Sequence, residues 1–145
     1  MIVYEMAGHL IRRLNQTSTH IFATHMQRIG LDLTSVQFAA MDAISCFPGI
    51  DQAGVAAKIG YDRATIGGVI DRLAQKGYIT RDVSRQDRRA REVRLTADGA
   101  RVFADVAPVV RALQDEILLG LDPAERATFL KLAGKAIGGV APDAG

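Results

Sequence analysis

The stretch IGYDRATIGGVIDRLAQKGYITR, residues Ile59 to Arg81, contains the pattern that decides the fold. Four apolar residues recur in it at the spacing of one face of an α-helix, namely Ile66, Val69, Ile70 and Leu73. Asp62 is a good N-cap for this helix, and Gly77 is a typical stop at its end. The segment therefore predicts an amphipathic helix with one buried and one exposed face.

A shorter helix is predicted immediately before it. Asp51 begins this helix, which places Val55, Ala56 and Ile59 on one side, and Gly60-Tyr61 supplies the turn that follows. A short helix, a glycine turn and a second amphipathic helix form the helix-turn-helix pattern.

After Gly77 the apolar period changes from that of a helix to that of a strand. Apolar or long side chains alternate with polar neighbours over residues 79–83 and again over residues 91–95. The segment SRQDRRA between them, Ser84 to Ala90, is too polar to be core. The pattern predicts a β-hairpin with a basic tip, which is a wing.

Helices are expected on both sides of this unit. A long first helix runs to about Gly30, and Thr34 with Gln37 forms a capping box for the second helix. Thr96 caps a helix that continues to about residue 120 and contains Pro108, which should kink it or remove a hydrogen bond. A last helix begins at Asp122.

We therefore expect a mainly α fold with a small β-hairpin wing, organised as one domain over residues 1–140. The winged helix-turn-helix spans about 33–96, dimerisation helices span about 1–30 and 97–140, and residues 141–145 form a flexible tail. A chain of 145 residues, 48% of them hydrophobic, is long enough for one packed domain and too short for two ordinary ones.

The charge is distributed unevenly along the chain. The formal net charge is only +2, but the segment Lys58 to Arg94 holds ten Lys or Arg and five Asp or Glu, a net of +5, and the rest has a net of −3. A basic middle third in an otherwise acidic protein indicates a face for a polyanion.

Other features bear on the compartment. The single cysteine, Cys46, excludes an internal disulfide and fits a reducing cytosol. No apolar run approaches the roughly 18 residues of a membrane helix, and we find no signal peptide. We therefore expect a cytoplasmic protein. Cys46 has no cationic close neighbour in sequence, which argues against a redox sensor.

The order of elements resembles the MarR (multiple antibiotic resistance regulator) family over essentially the whole chain. Residues Ile59 to Arg81 look like that family's recognition helix and first wing strand, and DRRAREVRLTADG, Asp87 to Gly99, looks like its wing signature. The segment GHLIRR, Gly8 to Arg13, together with DRATIGGVIDRL resembles a subgroup that controls aromatic-compound catabolism. The resemblance implies a dimeric transcriptional regulator, usually a repressor.

The expected DNA contacts follow from helix and wing geometry. Residues near the N-terminus of a helix in the major groove reach base edges, and an arginine at a wing tip can enter the minor groove. The expected contacts at helix starts are Thr34, Ser35 and Gln52; those on the recognition helix are Arg63, Ala64, Thr65, Gly67, Gly68 and Arg72; and those on the wing are Arg85, Gln86, Asp87, Arg88 and Arg89.

Several of these residues have a second interpretation. Gly67 and Gly68 serve either close approach of the helix to DNA or tight packing against a neighbouring helix, since glycine otherwise costs a helix about 1 kcal/mol. Arg72 contacts a phosphate or, as we slightly favour, pairs with a nearby acid. Asp87 is interpreted as holding Arg88 or Arg89 in position, and the wing as a whole as a DNA contact rather than a solvated charge run.

We expect a homodimer on a palindromic operator of double-stranded DNA, because a two-fold axis places two recognition helices about 34 Å apart, one DNA turn. The apolar residues of the first helix and of the last two helices exceed what one small winged helix can bury. The candidates for the dimer interface, which alternatively only close the monomer core, are Leu118, Leu119, Leu121, Leu130 and Ile137.

One face of the first helix is polar. His9, Arg13, Gln16 and His20 form a stripe that is either a solvated face or part of a pocket for an aromatic carboxylate. Arg12 or Arg13 would pair with the carboxylate and His9 would add a hydrogen bond. The resemblance supports the pocket, because such regulators often release DNA on binding phenolic or aromatic acids.

Two other functions are weighed. A winged helix can serve as a protein-interaction module without an effector, but such a module does not need a basic wing tip. An enzyme is disfavoured because the chain lacks GxSxG, P-loop and HExxH motifs. We expect no cofactor, and no metal site from His9, His20 and His25, because their spacing does not complete a ligand shell.

Overall fold

The computed structural model describes residues 1–139, so the predicted tail at 141–145 lies outside the described residues. Six α-helices and three short strands follow a 3₁₀ turn at Ile2–Glu5. In chain order they are α1 (Ala7–Arg28), α2 (Ser35–Cys46), β1 (Ile50–Asp51), α3 (Gln52–Ile59), α4 (Ile66–Gln75), β2 (Ile79–Val83), β3 (Arg91–Leu95), α5 (Ala97–Ile117) and α6 (Pro123–Ala136). The predicted order of helices, hairpin and helices is confirmed.

The helix starts show how the local sequence sets the elements. The Thr34 hydroxyl accepts a hydrogen bond from the N–H of Gln37 at 3.1 Å, and the Gln37 side chain accepts one from the N–H of Thr34 at 3.2 Å. This is the predicted capping box of α2. Asp51 caps α3, and Asp122 with Glu125 forms a second capping box at α6.

The sheet is antiparallel with strand order β1-β3-β2. Ile79 lies opposite Leu95 and Val83 opposite Arg91, which defines the wing hairpin. The sequence pattern did not predict β1, in which Ile50 pairs with Val93. A two-residue strand is too short to show an alternating pattern, so its pairing depends on contacts with a distant part of the chain.

A single apolar core lies between the helices and the sheet. The buried face of α4 is the predicted one, with Ile66, Ile70 and Leu73 inside. They pack in one cluster with Phe22 and Met26 of α1 and with residues of α2, α3, β3 and α5. The core therefore fixes which side of α4 is left exposed.

Two details differ from the sequence-based expectation. The first helix begins at Ala7, after the separate 3₁₀ turn. Regular α4 begins at Ile66 with Thr65 at the N-cap, so the prediction of Asp62 as that cap is wrong by three residues. Asp62 instead caps the preceding turn, where its carboxylate accepts the N–H of Ala64 at 2.9 Å. Pro108 lies within α5, as the sequence indicates.

The last helix is packed differently from the others. No residue of α6 is buried, and Leu130, Leu132 and Ile137 are mainly exposed. Within residues 1–139, no helix combines the length and apolar character needed to cross a membrane.

Candidate nucleic-acid interface

The start of α4 and the wing border one cleft. The cleft has a volume of about 510 Å³. Its lining comes from the start of α3, the turn before α4, and both strands and the tip of the wing: Asp51, Gln52, Ala53, Arg63, Ile66, Arg81, Asp87, Arg89, Ala90 and Arg91. Four arginines against two acids make it a cationic concave surface.

The turn before α4 presents three of the predicted DNA contacts. Arg63, Ala64 and Thr65 are exposed and precede the regular helix. The backbone carbonyl of Asp62 accepts the N–H groups of Thr65 and Ile66, both at 3.0 Å, so the turn continues directly into α4. Of these residues Arg63 lines the cleft, together with Ile66 at the start of α4.

The two glycines of α4 are not explained by packing. A methyl group added at Gly68 would have no atom within 4 Å, and one at Gly67 would lie 3.8 Å from Nε2 of Gln52, an ordinary contact. The interpretation as tight helix packing is therefore wrong within the single chain. The glycines leave a bare stretch of helix backbone between Arg63 and Arg72 on the outer surface.

The arginine that pairs with an acid of α4 is Arg81 and not Arg72. Arg72 is exposed, and among residues 1–139 it makes no ion pair, so the favoured pairing of Arg72 with an acid is not found. The acid at Asp71 instead pairs with Arg81 of β2. This pair joins the recognition helix to the first wing strand.

The wing tip is held by hydrogen bonds from its backbone N–H groups to two of its own side chains. The Ser84 hydroxyl accepts the N–H groups of Gln86 and Asp87 at 3.2 and 3.3 Å. The Asp87 carboxylate accepts the N–H of Arg89 at 3.0 Å. Asp87 therefore holds Arg89 through the main chain rather than through its guanidinium, and the side chains of Arg85, Gln86, Arg88 and Arg89 stay exposed.

The predicted contacts at helix starts are divided between two places. Gln52 lines the cationic cleft. Thr34 and Ser35 instead line a separate groove of about 410 Å³ between the end of α1 and the start of α2. The Thr34 hydroxyl is already used in the capping box of α2.

Sequence reasoning missed Arg81 and Arg91 as residues of the cleft. Paired residues of an antiparallel sheet share a face, and Arg81 lies opposite the fully buried Val93, while Arg91 lies opposite Val83. The alternating pattern therefore places both arginines on the face of the sheet that looks toward α4. The hairpin extends beyond the core, so this face meets the cleft rather than apolar side chains.

The proposed effector stripe is mostly open in the single chain. Arg12, Arg13, Gln16 and His20 are exposed, and only His9 is partly buried. Arg12 donates to Nδ1 of His9 at 3.3 Å, and the Tyr4 ring makes an edge contact with His9. The buried Nε2 of His9 has no hydrogen-bond partner among the described residues.

Comparison with known proteins decides the family. The model of the MarR family matches residues 33–90. The transcriptional regulator HosA of Escherichia coli is 31% identical over 93% of this chain and 97% of its own length. The chain belongs to the MarR family. The HTH-type transcriptional repressor NicR of Pseudomonas putida is 32% identical over 93% of this chain and 84% of its own length.

A solved structure of the MarR fold superposes closely on this one. BpsR of Bordetella bronchiseptica, whose DNA binding is described as regulated by 6-hydroxynicotinic acid, has a TM-score of 0.85 and 30% identity. The match covers 92% of this chain and 94% of that one. This MarR-family chain is therefore a transcriptional regulator with a winged-helix fold.

Proposed function

We propose that this MarR-family regulator is a sequence-specific DNA-binding repressor that acts as a homodimer in the cytoplasm and releases DNA on binding a small aromatic acid. The observation that supports it most directly is the cationic cleft between α4 and the wing, with Arg63, Arg81, Arg89 and Arg91 in its lining. Repression is the role named for the relative NicR.

In this proposal the start of α4 enters the major groove. Arg63 forks onto a guanine, Thr65 meets a thymine methyl or a phosphate, and the bare surface at Gly67 and Gly68 lets the helix backbone approach closely. The wing arginines then reach the adjacent minor groove, where the negative potential of a narrow groove attracts them. Contacts to the DNA phosphate backbone come from Gln52 and Arg72. Thr34 and Ser35, which lie outside the cleft, make further contacts of this kind.

A second copy of the chain covers the apolar ends of α1, α5 and α6. These elements line an open apolar groove of about 710 Å³ that includes Ile11, Leu118, Leu130 and Ile137. Leu119 and the N-terminal Met1 and Ile2 are also largely exposed. Large exposed apolar surfaces of this kind mark interaction sites, and a two-fold dimer matches a palindromic operator.

The aromatic acid is proposed to bind at the polar stripe of α1. Arg12 or Arg13 pairs with its carboxylate, and Nε2 of His9 donates to a ring substituent. Gln16 and His20 lie roughly two and three turns further along α1. The regulation of BpsR by 6-hydroxynicotinic acid, a small aromatic acid, supports this class of ligand. Because most of the stripe is exposed in one chain, the partner subunit is needed to enclose the ligand.

The test is a fluorescence-anisotropy titration of the protein against the DNA just upstream of its own coding region, with a random duplex as control. Tight binding that weakens steeply with salt and is released by one member of a panel of aromatic acids is expected. Binding that no acid disturbs would remove the effector proposal and keep the DNA-binding one. Equal binding to both duplexes calls for a second titration with duplexes selected from a random library. If these also bind no more tightly than the random duplex, the protein-interaction module is favoured instead.

A further inference from the structure

The carboxyl end of the recognition helix is anchored by a lysine that turns inward. Lys76, the C-cap residue of α4, donates from Nζ to the backbone carbonyl of Asp32 and to Oε1 of Gln37, the latter at 3.0 Å. Only 23% of its side chain is exposed, while the Asp32 carboxylate 3.9 Å away is fully exposed. The ammonium group is therefore used within the protein and does not face the cleft.

Its partner Gln37 is unusual in the core. Among residues 1–139, Gln37 is the one buried polar or charged residue, with 4% of its surface exposed. Its Oε1 accepts from both the N–H of Thr34 and Nζ of Lys76, which uses both lone pairs of that oxygen. Lys76 therefore bonds to the same side-chain oxygen that completes the capping box of α2.

The same corner joins α4 to the wing and to α5. The Thr96 hydroxyl, at the N-cap of α5, donates to the carbonyl of Gly77 at 2.6 Å, and the N–H of Thr96 donates to the carbonyl of Tyr78 at 3.0 Å. A side chain at Gly99 would overlap that Tyr78 carbonyl, so α5 packs directly on the corner. These contacts hold the segment that follows Lys76. Lys76 itself contacts the linker between α1 and α2.

We propose that Lys76 is a positioning residue for DNA binding, which sets the orientation of α4 by tying its carboxyl end to the backbone of Asp32 and to Gln37. The inference rests on the proposed function as a DNA-binding regulator. The linker that Lys76 holds also forms one wall of the groove lined by Phe22, Met26 and Thr34.

The test compares Lys76→Met, which keeps most of the side-chain length and removes the donors, with Lys76→Arg, which keeps donors. We expect Lys76→Met to weaken binding to the best duplex selected from a random library about tenfold, since bonds to a charged donor are lost. Affinity for random duplex and the slope of affinity against salt stay unchanged, because no phosphate contact is removed. Lys76→Arg restores most of the affinity.

The matched control is Arg88→Met on the wing, which loses the same charge and should lower the salt slope by about two, one for each subunit of the dimer. A lower slope for Lys76→Met, or an equal loss on selected and random duplexes, overturns the positioning role.

Hydrogen exchange of the free protein gives a readout that does not depend on DNA. In Lys76→Met we expect about tenfold faster exchange confined to the last turn of α4 and residues 31–37. Unchanged or uniformly faster exchange overturns the inference. If the wild-type protein does not distinguish selected from random duplex, the proposed function fails, and the exchange data still decide the role of Lys76.

Discussion

Two arginines at opposite ends of the interface are expected to act differently. Arg63 lies in the turn that begins α4, in the cationic cleft, whereas Arg88 lies exposed at the wing tip. A contact to a base edge specifies sequence, and a contact that depends on charge and groove width supplies affinity. Their substitutions therefore separate specificity from overall affinity.

We predict that Arg63→Ala reduces discrimination against a mismatched base by about 1–3 kcal/mol. Arg88→Ala should weaken binding to all sequences and reduce the salt slope by about two, one for each subunit of the dimer. Both are measured by anisotropy titration against a set of single-base operator variants at several salt concentrations. If both variants keep wild-type affinity and specificity, the docking geometry is wrong.

Gly68 offers a prediction in which stability and function change in opposite directions. Alanine is favoured over glycine in a helix by about 1 kcal/mol, and no atom lies within 4 Å of the added methyl group. Gly68→Ala should therefore raise Tm by about 2–4 °C while weakening operator binding, because the methyl group occupies the surface that approaches DNA.

Thermal unfolding and anisotropy titration measure the two effects of Gly68→Ala. A Gly68→Ala protein that binds the operator as tightly as wild type would show that α4 does not approach DNA through its backbone.

At the scale of one element, α6 depends on its N-cap. The N–H of Glu125 donates to the Asp122 carboxylate at 2.9 Å, and this hydrogen bond holds the pKa of Asp122 below its ordinary value of 3.8. A carboxyl whose pKa is lowered by folding stabilises the helix above pH 3.8, and that stabilisation is lost as the pH falls through the lowered pKa.

We therefore predict that the start of α6 frays as the pH falls from 3.8 through the lowered pKa of Asp122, more in the wild type than in Asp122→Asn. Asparagine caps a helix and does not titrate, so it isolates the protonation of this one group. Amide exchange of residues 123–126 across this pH range is the measurement. Equal fraying in the two proteins would show that protonation of Asp122 does not weaken the cap.

For the whole molecule, the open apolar groove predicts the oligomeric state. Leu130 is 65% exposed on α6 and lines that groove, so a charge there is costly once a second copy covers it. Leu130→Glu should shift the protein from dimer to monomer and reduce operator affinity by at least about tenfold, because one half-site is then bound alone.

Sedimentation analysis measures the oligomeric state. Ala57→Glu serves as control, because it adds the same charge at an exposed alanine of α3, away from the groove. The control should remain a dimer. A Leu130→Glu protein that stays dimeric would place the subunit interface on another surface.

Much of this architecture can be predicted because it depends on patterns among residues that are close together in sequence. The buried face of α4 follows from four apolar residues within eight positions, the α2 capping box from two residues three apart, and the wing from a change of period after Gly77. Each pattern depends on neighbours in sequence, where backbone geometry fixes which side chains share a face. The MarR family resemblance rests on the same local segments.

Other features needed the tertiary structure, because they join distant parts of the chain. β1 pairs with a strand about 40 residues later, Lys76 reaches a carbonyl 44 residues earlier, and the ion pair between Asp71 and Arg81 crosses from helix to strand. Whether Gly68 is packed against a neighbour also depends on what the folded chain brings near it. Sequence periodicity specifies which face of an element is apolar, but only packing determines which residues of other elements meet its polar face.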